Sequence, residues 1–340
     1  MKLPLFPTST VGSLPQPQEL RRARTALQRG TLASRSYWDL VHKHTARWID
    51  FQKEIGLDVL VGGEFAREDM AAYFAVHFGG RVLDFVPSYE NRRYRPAEYF
   101  REVSAARRSL LRKDFLFAVS RSSINPPHFL KETITGPATL ADWALIRHPP
   151  YYRDRNAFRA DLAKALRREI EFLRAYGMKI LQIDEPALTT DMDTYEMDLK
   201  AIRKTVDGLQ DKLYLILHIC YSDQEALDKA FPSLLELPFH QIHMEMANRN
   251  YALLDLVAKH GFADKDIGLG VIDVHTDRIE TVEEIREGVE RACRYIAPRR
   301  IHLLPDCGFK ERREEIAKEK LRVMVRAAER CREDFLRRRI

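Results

Sequence analysis

Short apolar runs rich in strand-forming residues punctuate the chain at residues 5–13, 57–64, 132–137, 178–186, 213–220, 239–246, 267–275 and 300–308. Between most of them the apolar positions repeat with the period of a helix, as in residues 37–56, 156–177 and 282–296, and the first two of these end in glycine. A last helical pattern begins EEIAKEKLRVMV at residue 314. Eight buried-type runs alternating with helices are what a closed parallel barrel requires. The pattern therefore predicts an α/β fold, a single (β/α)8 TIM barrel over residues 1–340. The gap from 65 to 131 is too long for one crossover helix. It predicts a helix around EDMAAYF (68–74), then an excursion, a hairpin or loop within residues 75–130, over one mouth of the barrel.

Composition narrows the class. With 45% hydrophobic residues among 340, the chain can bury a full core. Lysine and arginine outnumber the acids 56 to 50, with basic runs at 21–24, 91–95, 106–113 and the terminal LRRRI. These runs are scattered and interleaved with acids, which predicts solvated helix faces and no nucleic-acid surface. Four cysteines and no leader of basic and apolar regions point to a reducing, cytoplasmic setting. No stretch approaches the roughly 20 apolar residues of a membrane span, so no membrane partner is expected.

The candidate chemistry lies where the apolar runs finish. They end in Ser13, Glu64, Asp184 and Glu185, His218 and Cys220, Glu245, Asp273 and His275, and Asp306 and Cys307. In a barrel the carboxyl ends of the strands converge on one face, where residues distant in sequence meet. Residues i and i+2 of a strand point the same way, so His218 and Cys220 share a face. Two neighbouring core side chains would give the same spacing. Cys307 and Glu245, at other strand ends, complete a plausible tetrahedral zinc shell of two thiolates, an imidazole and a carboxylate. His243 shares the face of Glu245 and is a rival ligand, while Cys293 and Cys331 fall in predicted helices and read as packing.

Seven ordered segments, FPTSTVGSLPQP (6–17), GLDVLVGGEFAREDMAAYF (56–74), ITGPATLADW (134–143), LQIDEPAL (181–188), HICYSD (218–223), GVIDVHTDRIETVEEI (270–285) and LLPDCGFKER (303–312), resemble the catalytic half of cobalamin-independent methionine synthase. The resemblance implies a (β/α)8 barrel with one zinc that activates the thiol of L-homocysteine for methylation. Carried residue by residue, it implies His218, Cys220, Glu245 and Cys307 as metal ligands. It puts the homocysteine carboxylate near Ser13 and the ammonium near Glu64 and Asp184. His275 falls on the family's proposed proton donor, Asp273 on a partner that would orient it, and Trp143 on a surface for stacking a pterin.

The departures concern the methyl donor. The sequence presents only the catalytic half, reads SRSSINPP (120–127) where the long enzymes carry a basic segment, and has Thr189, Thr190 and Asp191 after IDEPAL. A short, stand-alone type is therefore expected, drawing its methyl group from a methylcorrinoid, free or protein-bound, or from a methyl folate. The alternative is a zinc alkyltransferase of the same superfamily acting on another thiol such as coenzyme M.

Overall fold

The computed structural model describes residues 3–87, 93–123, 129–146, 152, 154–220 and 222–337. Residues 88–92 of the predicted excursion and the whole INPP segment (124–127) lie outside the described residues. Seven of the eight predicted runs form strands: β1 (Val59–Val61), β2 (Phe129–Thr135), β3 (Ile180–Asp184), β4 (Tyr214–Ile219), β5 (Gln241–Met244), β6 (Asp266–Ile272) and β7 (Ile301–Pro305). They make one open sheet in that order. The pairs β1/β2, β3/β4, β5/β6 and β6/β7 are parallel. Every residue of β1, β3 and β5 is buried, the polar Gln182, Asp184, Gln241 and His243 included, as in a parallel sheet covered on both faces.

The eighth run differs from expectation, and the closed (β/α)8 barrel is not formed as predicted. Residues 8 and 9 make two isolated parallel bridges, Thr8 to Leu303 and Ser9 to Val59. The backbone bonds Ser9 N–H to Leu303 C=O (3.1 Å) and Val59 N–H to Thr8 C=O (3.0 Å) accompany them. Pro4 and Pro7 offer no backbone donor, and Phe6 sits at φ 48°, outside extended geometry. A longer ladder cannot grow through such a run.

By their contacts the residues form two compact units, one of residues 1–66, 114–132 and 241–340 and one of residues 67–113 and 133–240. In the first, helix Ser34–Glu54 buries Trp48, Ile49 and Phe51, and helix Glu314–Arg337 buries Leu321, Met324 and Val325. Helix Val282–Ala292 starts with a capping box, Thr281 and Glu284 each bonding the other's backbone N–H. In the second unit, helix Arg155–Ala175 is capped by Asp154 and packs Leu162, Leu166 and Ile170 inward, ending before Gly177 at φ 95°. There helix Met70–His77, capped by Asp69, leads into the excursion, whose strands Arg81–Val82 and Ala97–Tyr99 form a small sheet with Ala144–Ile146. Val86–Pro87 and Arg93–Tyr94 pair antiparallel, as a hairpin would. No described helix is long and apolar enough to cross a membrane.

Glu185 shows how the second unit handles a charge at a strand end. Fully buried, it accepts from Ala138 N–H (3.0 Å), Thr139 N–H (2.7 Å) and the Thr139 hydroxyl (2.7 Å). It thereby caps helix Pro137–Asp142, whose preceding Gly136 has no side-chain cap. A Cβ at Gly136 would lie 2.0 Å from the Glu185 Oε1 atom. Burial pushes the carboxyl up to about 8, against the pull of these hydrogen bonds. Glu185→Ala orphans buried donors and Gly136→Ala displaces their acceptor. Each is expected to cost about 3 kcal/mol, read by calorimetry as a lowered unfolding temperature.

Candidate metal centre and its surroundings

His218 lies near the end of β4 and is buried, as is Cys220 just beyond it; Cys307 follows β7 and is half-buried. One ligand atom from each of the three lies within 4.8 Å of the other two. The donor set is one imidazole nitrogen and two thiol sulfurs, soft to borderline in character and short of a tetrahedral shell by one position. That chemistry fits zinc and disfavours magnesium or calcium, which take oxygen.

The sequence predicted four ligands, and three are brought together in this group. Glu245 is not one of them among the described residues. It is buried beyond the end of β5, where Oε1 accepts from Arg249 through Nε (2.8 Å) and Nη2 (2.5 Å) and Oε2 accepts from Asn248 Nδ2 (3.1 Å). Arg249 and Asn248 belong to the short 3₁₀ turn Ala247–Arg249, so the carboxylate is held by the loop that follows its own strand. His243, the rival, is buried within β5 and is also outside the group. The Arg249 and Asn248 contacts had no signal in strand periodicity, because they arise in an irregular turn.

Asp306, next to Cys307, has a structural task. Its carboxylate accepts from the backbone N–H groups of Met246 (2.8 Å), Ala247 (3.0 Å) and Asn248 (2.8 Å). Burial pushes it up to about 7, opposed by those three bonds and reinforced by the charge of Glu245. Gly270 makes room for it, since a Cβ there would come within 2.2 Å of Oδ1.

The other predicted site residues sit as follows. Ser13 accepts from Phe309 N–H through its carbonyl (2.9 Å), and its Oγ lies 2.1 Å from where a Cβ on Gly308 would stand. Glu64 has φ 59°, directly after Gly63 at φ 88°, a backbone conformation that a glutamate adopts only when its surroundings enforce it. Its carbonyl accepts from Gln16 Nε2 (3.2 Å). Asp184, at the end of β3 and 9% exposed, accepts from Gln182 Nε2 at 2.6 Å. Trp143 follows helix Pro137–Asp142 and stacks on Tyr94 with ring centroids 4.7 Å apart, so a protein ring already covers part of its surface.

Asp273 and His275, beyond β6, form a closed pair. One carboxylate oxygen, Oδ1, accepts from the His275 backbone N–H (2.8 Å) and lies 2.8 Å from ring Nδ1. Burial pushes the Asp273 carboxyl up, but the bonds from His275 outweigh it and hold the group below the usual carboxylate range. An ionised Asp273 can only accept, which puts a hydrogen on Nδ1 and leaves Nε2 as the exchangeable nitrogen.

Residues 6–330 match the family described as "Cobalamin-independent synthase, Catalytic domain". A methionine synthase of Saccharolobus solfataricus is 34% identical over 99% of this chain and 98% of its own length. A 5-methyltetrahydropteroyltriglutamate–homocysteine methyltransferase of Bacillus thuringiensis is 33% identical over 96% of this chain, which spans 43% of that protein's length. Among solved structures, a B12-independent methionine synthase from Shewanella sp. W3-18-1 shares the fold, with a TM-score of 0.83, 24% identity, and coverage of 98% of this chain and 99% of its own. A methyltransferase from Methanosarcina mazei has a TM-score of 0.61 at 13% identity, over 98% of this chain and 95% of its own.

Metal-stripped protein given cobalt(II) is expected to show thiolate-to-cobalt charge-transfer absorption. Cys307→Ser will weaken the band by about half, and the double change with Cys220→Ser will abolish it. A wild-type protein without such a band would remove the sulfur ligands.

Proposed function

The chain belongs to the cobalamin-independent methionine synthase family, and from that membership we propose that it methylates the thiol of L-homocysteine, forming methionine, with zinc held by His218, Cys220 and Cys307. It is a methyltransferase, as its relatives are named. The observation that carries the reading is the grouping of one imidazole and two thiols at strand ends. Glu245 would serve as the fourth ligand on release from Arg249 and Asn248. When bound, zinc favours the thiolate of a substrate thiol that would otherwise be mostly protonated at neutral pH.

The protein's own residues would do the rest. Ser13 would hold the homocysteine carboxylate, and Glu64 and Asp184 its ammonium, because a cation taken out of water needs charged acceptors. This pair of acids favours homocysteine over an acceptor such as coenzyme M, which has no ammonium to bind. For the donor we assign a methyl folate, with Trp143 beside the pterin. The methyltetrahydropteroyltriglutamate in the Bacillus relative's name and the cobalamin-independent description of the family support it; neither supports a methylcorrinoid, free or protein-bound.

The sulfur–carbon bond would form as the carbon–nitrogen bond of the folate breaks, and the leaving nitrogen needs a proton. His275 would supply it from Nε2, with Asp273 holding the opposite side of the ring and stabilising its charged form.

The test is a donor panel with homocysteine, measuring methionine by mass spectrometry on protein of known zinc content. Methyl folate is expected to give methionine, and His275→Ala to lower kcat by about 100-fold. A protein carrying zinc that gives methionine from methylcobalamin alone, undiminished by His275→Ala, would overturn the folate assignment. Turnover with coenzyme M in place of homocysteine would overturn the acceptor. A separate prediction concerns the ammonium: Asp184→Asn should raise KM for homocysteine more than it lowers kcat, the mark of an interaction made equally in ground and transition states.

A further inference from the structure

Lys320 is wholly buried in the middle of helix Glu314–Arg337. It lies 3.0 Å from both carboxylate oxygens of Glu280, itself only 6% exposed, and also donates to the carbonyl of Arg278. A buried ion pair is costly to desolvate, and an apolar pair of similar volume would pack as well. What an apolar pair cannot do is accept a hydrogen bond. Glu280 Oε1 accepts the backbone N–H of Asp273 at 3.0 Å. Asp273 in turn binds His275 at both the backbone N–H and ring Nδ1.

These contacts run in one unbroken series from the last helix to the imidazole. Residues 273–281 form the irregular connection between β6 and helix Val282–Ala292, a segment without ladder bonds to fix it. Lys320 fastens its far end at Arg278 and Glu280, and Glu280 reaches back to its near end at Asp273. The charge of Lys320 also helps hold the Asp273 carboxyl low, behind burial, which opposes, and the bonds from His275.

We infer that Glu280, anchored by Lys320, is a positioning residue for His275, setting the ring's orientation through the backbone of Asp273. The inference rests on the proposed role of His275 only where activity is the readout; the orientation of the ring can be read without it.

The experiment compares two double variants of the full chain. Lys320→Met with Glu280→Gln removes both charges but leaves an oxygen to accept from Asp273. Lys320→Met with Glu280→Leu removes the charges and the acceptor. Both are checked for fold by circular dichroism and thermal unfolding. In ¹⁵N spectra of the histidine rings, with His275→Gln used for assignment, the His275 Nδ1 resonance is expected to shift in the leucine variant and to stay near its wild-type value in the glutamine variant. With methyl folate as donor, kcat should fall by about tenfold or more in the leucine variant, with KM for homocysteine within about twofold, and glutamine should restore most of it.

An unmoved His275 resonance in the leucine variant overturns the inference, whatever the rate does. Equal shifts in both variants also overturn it, because the ion pair would then act only through general stability. A moved resonance with unchanged kcat supports the positioning and removes His275 from the proposed chemistry, so the two readings fail separately.

Discussion

Burying ionisable side chains at the ends of strands is the constraint on which the rest of this structure depends. The ends bring together the groups that chemistry needs, but each buried carboxylate loses its water. The protein replaces that water largely with its own backbone N–H groups. Glu185 takes those of a helix start and Asp306 takes three from the turn after β5, while the half-buried Asp273 takes that of His275. Such fixed donors offset a desolvation cost on the order of several kcal/mol without leaving an orphaned partner. The same bonds pin the loops that carry the candidate site, so offsetting the cost of burial and ordering the loops are one physical act.

Much of this was legible in the sequence because it follows from periodicity. Seven of the predicted runs became strands, and the long helices fall within a few residues of their patterns. The pairing of His218 with Cys220 was legible from the two-residue repeat of an extended chain, whereas that of Asp273 with His275, in an irregular connection, came only from the family resemblance. The first run was misread because its apolar content outweighed Pro7 within it and Pro4 just before it, whereas hydrogen bonding gives the prolines the deciding vote. Glu185 and Asp306 stood beside site residues in the sequence, and their burial against backbone donors assigns them to capping. Strand alternation separates them from Asp184 and Cys307, a distinction that spacing contains but that the list of strand-end polar residues obscured.

What could not be read was set by irregular backbone and by distance along the chain. Arg249, at the end of a three-residue 3₁₀ turn, reaches back four positions to Glu245, a geometry without a sequence period. Lys320 meets Glu280 from 40 residues away, on a helix whose pattern only says that a lysine falls on its inner side. Glu64 is a mixed case: its identity was legible as a strand-end acid, while its left-handed backbone, which aims the side chain, was not.

The cysteines give the last step. Four are present, and the interior treats them differently. Cys331, buried in the last helix, has its thiol pushed up to about 12 by burial, so it stays protonated and packs as a small apolar group. Cys220 is buried to a similar degree, yet it lies in a group with a second sulfur and an imidazole. As metal ligands the two sulfurs would bind as thiolates, and a neutral imidazole would contribute only a lone pair. A divalent cation that prefers sulfur and nitrogen satisfies all three donors at once, which no single lysine or arginine could. The difference between Cys331 and Cys220 therefore lies in their neighbours, not in their burial, and those neighbours form the donor set that the proposed zinc would use.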